Sequence, residues 1–450
     1  MREHWGISSR TFSPWVDALP DTRFQPFVCY PGRFLFFWGL GAFLFRLGAR
    51  RQLDFDLAEA DTCVLTNFNS LVGTDMESLP VNGTLDHYLG HTGSGPIREF
   101  RTRMIRRLIR MKALDDARLL RHFVVPLDAT TYLSFQRRHC SYCLTQKHDS
   151  KTVYMHQVLE AKIVSSSGLA LSVGSEFIMN DDLPPEDSKR NNPEGRKQDC
   201  ELAALSRLAP QLKTDFPHTP LCLSVDSEFA CGRFFQIAKD HSWAYVATFK
   251  QGRLPAVWAD FQGLLKLVPE NILRLELPDG TRQLYRWVNA LSYRDDQKRT
   301  HSFDAIQCIE TKRNGEKTTF AWLTSFKVNK NNVVCISQKG GREHWNIENQ
   351  GFNTQKNGGM NLEHAYSYDP EKMKAYYYLL QIAHILLQLL EKGSLLKRVA
   401  KDAGKTTLRL YGSLKNISRR LLECFRYIVL APEVFDPQAA ARIRINLDTS

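Results

Sequence analysis

The chain of 450 residues lacks several features that mark whole classes of protein. Its first stretch, MREHWGISSRTFSPW, has no apolar core, so we expect no secretory signal peptide. The sequence shows no internal repeat and no low-complexity tract. Its ten cysteines are scattered and lie mostly in apolar runs, a usage typical of reduced cytosolic proteins rather than of disulfide-stabilised domains. These absences predict a cytoplasmic protein.

Long hydrophobic runs are also scarce. The most apolar segment, FLFFWGLGAFLFRLG at residues 34–48, contains Arg46. It is shorter than the roughly 20 residues that a membrane span needs. We therefore favour a buried helix over a membrane span, and we expect no membrane partner.

What the chain does contain is a globular share of apolar residues and an excess of positive charge. Apolar residues make up 43% of it, and its length allows two or three domains. It carries 60 Lys and Arg residues against 48 Asp and Glu residues, for a net charge of +12. This excess favours a polyanionic partner, either nucleic acid or an acidic membrane surface, although many basic proteins bind neither.

Composition and periodicity divide the chain into five segments. Strand patterns alternate with helical ones in the second segment, which predicts an α/β domain with a central sheet. The turn sequences PDG and RNGE separate extended runs in the third segment and predict β-hairpins that split this α/β domain. The segments are a helical region at 1–121, the first part of the α/β domain at 122–250, an all-β insertion at 251–325, the second part of the α/β domain at 326–392 and a basic helical region at 393–450.

The first segment ends in a predicted helix with one basic face. Four arginines recur at helical spacing along it: Arg103, Arg106, Arg107 and Arg110. Either this face is simply solvated or it contacts DNA phosphates. The sequence leaves both interpretations open.

Two aspartates end buried strands in the α/β domain. Asp128 ends the run FVVPLD, and Asp226 ends LCLSVD. A single acid in such a position is usually a helix cap, but an acid at a buried strand end is costly unless a cation pairs with it. Two of them in one sheet favour a metal site, for which Glu348 in the polar stretch REHWNIENQGFNTQKNGG would supply a third ligand.

These three motifs resemble those of bacterial insertion-sequence transposases of the DDE type. The resemblance rests on PLDAT around Asp128, LSVDSEFA around Asp226 and HWNIENQGFNTQKNGGMNLEH around Glu348. It is closest to the group whose glutamate lies in a tyrosine-arginine-glutamate-lysine signature, and it runs from His122 to His364. It implies an RNase H-like catalytic domain interrupted by a β-rich insertion, with a DNA-binding N-terminal region.

The resemblance also implies a reaction and its partners. Asp128 would bridge two Mg²⁺ ions, with Asp226 and Glu348 each completing one site, and Mn²⁺ would substitute. The enzyme would cut the ends of its own element and join the freed 3′-hydroxyl to target DNA. The expected assembly is a homodimer on two DNA ends, associated with the nucleoid.

The glutamate motif departs from the family signature at several positions. Gly341 stands at the tyrosine position, His344 at the arginine position and Gln355 at the lysine position. Arg342 and Lys356 lie next to two of these and, with His344, are the predicted phosphate contacts. Two rival functions stay open: an RNase H-like nuclease without strand transfer, and a catalytically impaired, transposase-derived DNA-binding protein.

A second constellation follows the first aspartate. Cys140, Cys143, His148 and His156 resemble a zinc site, although their spacing is not that of a standard finger. The alternative is a pair of buried cysteines in a packed loop. On the glutamate motif, the spacing of Trp345 and Phe352 predicts that both turn into the core.

Overall fold

The computed structural model describes residues 9–58, 61–148, 151–180 and 198–431. The chain divides into two units, one formed by Met1–Ala113 with Gly351–Ser450 and the other by Leu114–Gln350. The predicted N-terminal and C-terminal helical segments therefore belong to one unit. The second unit contains all three acids of the predicted metal site.

The second unit is built on one mixed sheet, and the protein is an α/β protein as predicted. Among the described residues the sheet has eleven strands. They are β1 (Arg118–Leu119), β2 (His122–Phe135), β3 (Leu144–His148), β4 (Lys151–Val164), β5 (Ala170–Ile178), β6 (Leu221–Val225), β7 (Ala244–Thr248), β8 (Ile272–Glu276), β9 (Arg282–Arg294), β10 (Thr300–Thr311) and β11 (Lys317–Thr324).

The order of the strands in the sheet is β3-β4-β2-β6-β7-β11-β10-β9-β8, with β5 also paired to β4. Strands β2, β4 and β5 are antiparallel neighbours. Strands β6 and β7 then continue from β2 in parallel. The crossovers into these parallel strands contain the helices Glu201–Asp215 and Gly232–Asp240, in agreement with the predicted alternation of strands and helices.

The predicted insertion differs from an all-β domain in two ways. It begins with the helix Pro255–Leu264. Its strands β8 to β11 are not separate, because β11 pairs with β7 and so extends the central sheet. The two predicted hairpin turns are present, with Gly280 and Gly315 at positive φ, the conformation that such turns require of one residue.

One face of this sheet is covered by the helical segment that follows β11. The segment begins with Val333–Cys335 and continues as a π-helical turn at Ile336–Gly341, a 3₁₀ turn at Arg342–Trp345 and a second π-helical turn at Ile347–Phe352. Ile336 packs in one buried cluster with residues from strands across the sheet, among them Val124 and Trp322. The hydrophobic contact holds the segment against the strands.

The first unit is helical. Its described helices are α1 (Ser9–Asp17), α2 (Gly32–Leu44), α3 (Arg50–Ala58), α4 (Asp61–Val72), α5 (Asn82–Thr92), α6 (Ser94–Arg110), α7 (Asn353–Asn357), α8 (Pro370–Lys392), α9 (Ser394–Asp402), α10 (Thr407–Tyr411) and α11 (Leu414–Tyr427). The apolar segment at 34–48 is largely the buried helix α2, as predicted. Helix α8 begins after Asp369, whose side chain caps it by accepting from the N–H of Lys372.

Among the described residues, one helical stretch is long and apolar enough to cross a membrane, Pro370–Asp402. Inside this protein, however, 69% of its most apolar window is buried. That burial is what the core helix of a protein outside the membrane shows. A cytoplasmic location stays a prediction.

Candidate active site

Asp128 lies in β2, on the face of the sheet that carries Val124 and the helical segment. Its side chain is partly buried. The Oδ1 atom accepts a hydrogen bond of 2.9 Å from the backbone N–H of Ala129. The other carboxylate oxygen therefore has ligand capacity left.

Asp226 follows the last residue of the adjacent parallel strand β6. The ladder pairs Pro126 with Ser224, so two residues further along both strands Asp128 and Asp226 reach the same level. Neighbouring strands lie about 4.8 Å apart. Asp226 is exposed, and its Oδ1 accepts from the backbone N–H of Glu228 at 2.9 Å, which starts a 3₁₀ turn. Asp226 thus caps the 3₁₀ turn and is also a neighbour of Asp128.

The helical segment with Glu348 is anchored to β6 one turn before that residue. The Ser224 hydroxyl donates to the Gly340 carbonyl at 2.6 Å. Nδ1 of His344 lies 3.2 Å from both the hydroxyl and the carbonyl oxygen of Ser224. Since a carbonyl only accepts, this Nδ1 carries the proton. Glu348 is exposed and comes four residues after His344.

Close approach of the segment to the sheet depends on two glycines. A Cβ on Gly340 would lie 2.6 Å from Cγ2 of Val246, and one on Gly341 would lie 2.4 Å from the ring of Trp322. The indole of Trp322 therefore occupies the space beside Gly341. A residue larger than glycine would therefore not fit at this position without movement of Trp322.

The carboxylates influence one another electrostatically. Burial is the largest cause of a raised pKa for Asp128, which reaches about 7. The negative charges of Glu201, Glu348 and Asp226 raise this pKa further. Since these effects fall steeply with distance, Asp226 and Glu348 lie near Asp128. The three carboxylates are not, however, among the groups of described residues whose ligand atoms all lie within 4.8 Å of one another.

Two further acids belong to the cluster and were missed from the sequence. Glu201 begins the helix Glu201–Asp215, and burial followed by the charges of Asp226 and Glu228 raises its pKa. An acid in the first turn of a helix looks like ordinary stabilisation of the helix dipole, so the sequence carried no distinct signal for Glu201. Glu228 lies in the predicted motif LSVDSEFA and could have been noted there.

The donor set fits a hard divalent cation. Carboxylate oxygens are the ligands that Mg²⁺ and Mn²⁺ prefer. Burial and, after it, repulsion by the neighbouring acids raise the pKa of Asp128 and so act against its ionised form. A bound cation would remove that repulsion, and Asp128, Asp226 and Glu348 could hold it.

The predicted phosphate contacts have partners within the protein. Nη1 of Arg342 lies 2.6 Å from Oε1 of Glu310 in β10, and its guanidinium stacks 4.3 Å above the ring of Phe320. His344 is half-buried against Ser224, as described above. Lys356 pairs with Glu363, at 3.1 Å between Nζ and Oε1. Contact of these residues with DNA stays a prediction.

Gln355 is fully buried in the helical unit. Its Nε2 lies 2.8 Å from Oε1 of Gln381 and 2.9 Å from Nδ1 of His384. It fills a polar site in the core where the family signature has a lysine. Because Ile347–Phe352 is a π-helical turn, the α-helical rotation of 100° per residue does not apply between Glu348 and Gln355.

The prediction for the two aromatic residues of the motif is half right. Phe352 is fully buried, but Trp345 is 56% exposed. The sequence argument assumed regular α-helix between them. The 3₁₀ and π-helical turns change the rotation per residue, so a spacing of seven no longer places both on one face.

The four arginines of α6 do share the outward side of their helix. Arg103, Arg106 and Arg107 are partly buried and Arg110 is exposed. The buried side is formed by other positions: Ile97, Phe100, Arg101, Met104, Ile105 and Leu108. Arg103 also forms a hydrogen-bonded ion pair with Glu99, at 2.8 Å. Either role, solvated face or phosphate contact, is compatible with this placement.

The predicted zinc ligands converge in part. The ligand atoms of Cys140, Cys143 and His156 all lie within 4.8 Å of one another. The side chain of His148 lies outside the described residues. This group is separate from the carboxylates and consists of softer ligands.

No protein-family model matches this chain, and no curated protein matches it either.

Proposed function

We propose that the chain is a metal-dependent DNA transposase of the DDE type. It would cut the ends of an insertion sequence and join the freed 3′-hydroxyl to target DNA. The observation that carries the proposal is the register of Asp128 and Asp226 on adjacent parallel strands, with Glu348 beside them on the covering helical segment. Asp226 and Glu348 come from distant parts of the chain, and the charges of both act on Asp128, which lies on a central strand of the sheet.

The arrangement of strands supports an RNase H-like core within this proposal. Such a core consists of three antiparallel strands followed by two parallel ones joined by helices. Strands β2, β4 and β5, followed by β6 and β7, have these directions. In this interpretation β8 to β11 are the β-rich insertion, attached through β7.

Phosphodiester cleavage requires a nucleophile and the stabilisation of negative charge on both the entering and the leaving oxygen. Two divalent cations, when bound, would supply an ionised nucleophile near neutral pH and stabilise both charges. Asp128, with a pKa near 7, would lose its proton when a cation binds. The backbone N–H of Glu228 would hold Asp226 in place, and His344 would fix the helical segment that carries Glu348.

The proposed partner is DNA, and the net charge of +12 and the outward arginines of α6 support it. Binding would release counterions, so the affinity should fall steeply with salt concentration. A homodimer on two DNA ends follows from the family resemblance alone.

The experiment that tests the function is a cleavage and joining assay. Its substrates are duplexes that cover the DNA on both sides of the gene, mixed with a supercoiled target plasmid and Mg²⁺ or Mn²⁺. We expect cleavage followed by joined product with the wild-type protein and with Asp260→Asn, a control acid exposed on the helix Pro255–Leu264. Asp226→Asn should yield neither.

The rival functions give other results in the same assay. Cleavage without joined product identifies a nuclease without strand transfer. Binding of the flanking DNA without cleavage by the wild-type protein identifies a DNA-binding protein that has lost catalysis. The buried position of Gln355, where the signature has a lysine, is the observation that favours this second candidate.

A further inference from the structure

A turn after β2 brings two cysteines next to a histidine of β4. The backbone N–H of Cys143 donates to the carbonyl of Cys140 at 3.4 Å, which closes the turn. His156 lies opposite Leu133 in the ladder between β4 and β2. The proposed catalytic reaction uses none of these three residues.

The distances within this group match the edges of a zinc tetrahedron. The two sulfurs are 3.6 Å apart, and Nε2 of His156 lies 3.3 Å from Sγ of Cys140 and 3.5 Å from Sγ of Cys143. Bond lengths of about 2.3 Å to sulfur and about 2.0 Å to nitrogen predict edges of about 3.8 Å between sulfurs and about 3.6 Å between sulfur and nitrogen. A single ion at bonding distance from all three atoms therefore fits.

The surroundings suit a thiolate site. Cys143 and His156 are buried, and Cys140 is partly buried. Burial alone would raise the pKa of Cys143, but the hydrogen bond with His156 and backbone hydrogen bonds outweigh burial and lower it to about 7. Burial, followed by the hydrogen bond and charge of Cys143, raises the pKa of Cys140 to about 11. All of the described cysteines are free of disulfides.

We propose that Cys140, Cys143 and His156 bind one Zn²⁺ ion, which fastens the turn after β2 to strand β4. The partial exposure of Cys140 leaves a fourth position open to water. His156 lies four residues along β4 from Glu160, the partner of Asp128, which is about 13 Å of strand. The zinc site is thus distinct from that of the cations of the carboxylate cluster.

The first test is the zinc content of the full chain, purified in chelator-free buffers and dialysed against trace zinc. Mass spectrometry of the metal should give about one zinc ion per wild-type chain. The matched control Cys29→Ser changes an exposed cysteine in the helical unit and should leave the zinc content unchanged. Cys143→Ser should lose most of the zinc. Zinc-free wild-type protein, or equal zinc in Cys143→Ser, would overturn the proposal.

A second measurement on the wild-type chain does not depend on whether a variant folds. Replacement of zinc by Co²⁺ should produce the visible bands of tetrahedral cobalt and a thiolate charge-transfer band, and added zinc should abolish both. A cobalt spectrum without thiolate bands contradicts the site. So does a disulfide between Cys140 and Cys143 in metal-free protein isolated under reducing conditions.

Discussion

Asp128 and Asp226 reach the same level of two neighbouring parallel strands, each two residues beyond the paired Pro126 and Ser224. The parallel register makes neighbours of two acids that are 98 residues apart in sequence. Their charges then oppose each other unless a cation lies between them. The consequences of this arrangement can be measured in the free protein as well as in the proposed reaction.

The first prediction concerns stability without divalent cations. The pKa of Asp128 is raised from 3.8 to about 7 on folding, so between these pH values the folded chain holds more protons than the unfolded one. Stability is therefore lost as the pH rises through this window. Asp128→Asn removes the ionisable group and should be more stable than the wild type at pH 8, by on the order of 1–3 kcal/mol.

Urea unfolding in magnesium-free buffer at pH 4 and pH 8 measures this difference. The advantage of Asp128→Asn should be confined to the higher pH. The exposed control Asp260→Asn should show no such dependence. If Asp128→Asn is no more stable than the wild type at pH 8, burial and the neighbouring charges do not raise the pKa of Asp128 as described.

The second prediction concerns Gly341. An added Cβ would lie 2.4 Å from the ring of Trp322, which is only 3% exposed and cannot move without disturbing the core. Gly341→Ala should therefore reduce the free energy of unfolding by about 1–3 kcal/mol. Gly263→Ala is the matched control, since no atom lies within 4 Å of its added Cβ. Because Gly263 lies in the helix Pro255–Leu264, Gly263→Ala should increase the free energy of unfolding by about 0.5–1 kcal/mol. Thermal unfolding of Gly341→Ala and Gly263→Ala measures both changes in stability.

The third prediction concerns the buried amide of Gln355. Gln355→Lys would place an ammonium group in a site where Gln355 is fully buried and bonded to Gln381 and His384. We expect a loss of about 2–4 kcal/mol of stability. The neighbouring change Lys356→Gln breaks only an ion pair between the partly buried Lys356 and the exposed Glu363, and it should cost about 1 kcal/mol or less. A Gln355→Lys protein as stable as the wild type would show that this position is not a core site.

The fourth prediction assigns His344 a positioning role. Its Nδ1 proton bonds to the carbonyl of Ser224 and so fixes the segment before Glu348. His344→Ala should lower kcat for DNA cleavage about ten- to hundredfold and change KM little. His344→Asn, which keeps a donor near the Nδ1 position, should recover part of this loss. A rise in KM with unchanged kcat would instead indicate direct binding of DNA by His344.

Local patterns in the sequence predicted much of the fold. The helix Glu201–Asp215, the strands around Asp128 and Asp226 and the hairpin turns at Gly280 and Gly315 all follow from short-range periodicity and turn chemistry. The pairing of β11 with β7 could not be predicted from local patterns, because contacts between distant segments determine which strands pair.

The sequence likewise predicted some residues of the candidate site and missed others. Asp226 was found because it directly follows the buried strand β6. Asp128 was predicted at a strand end as well, but it lies in the middle of β2, which continues to Phe135. Glu201 was missed because its role depends on tertiary proximity to Asp226. The exposure of Trp345 was missed because the sequence does not reveal where an α-helix changes to 3₁₀ or π-helical turns.

The most direct test of the central claim compares two glutamates on one helical segment. Glu348 belongs to the carboxylate cluster, whereas Oε1 of Glu343 accepts from the Ser166 hydroxyl at 2.6 Å. Mg²⁺-dependent cleavage of the DNA flanking the gene is measured for both glutamine variants. We predict that Glu348→Gln loses at least about a thousandfold in cleavage rate while still binding DNA, and that Glu343→Gln stays near the wild-type rate. Equal cleavage by Glu348→Gln and the wild type would contradict the account.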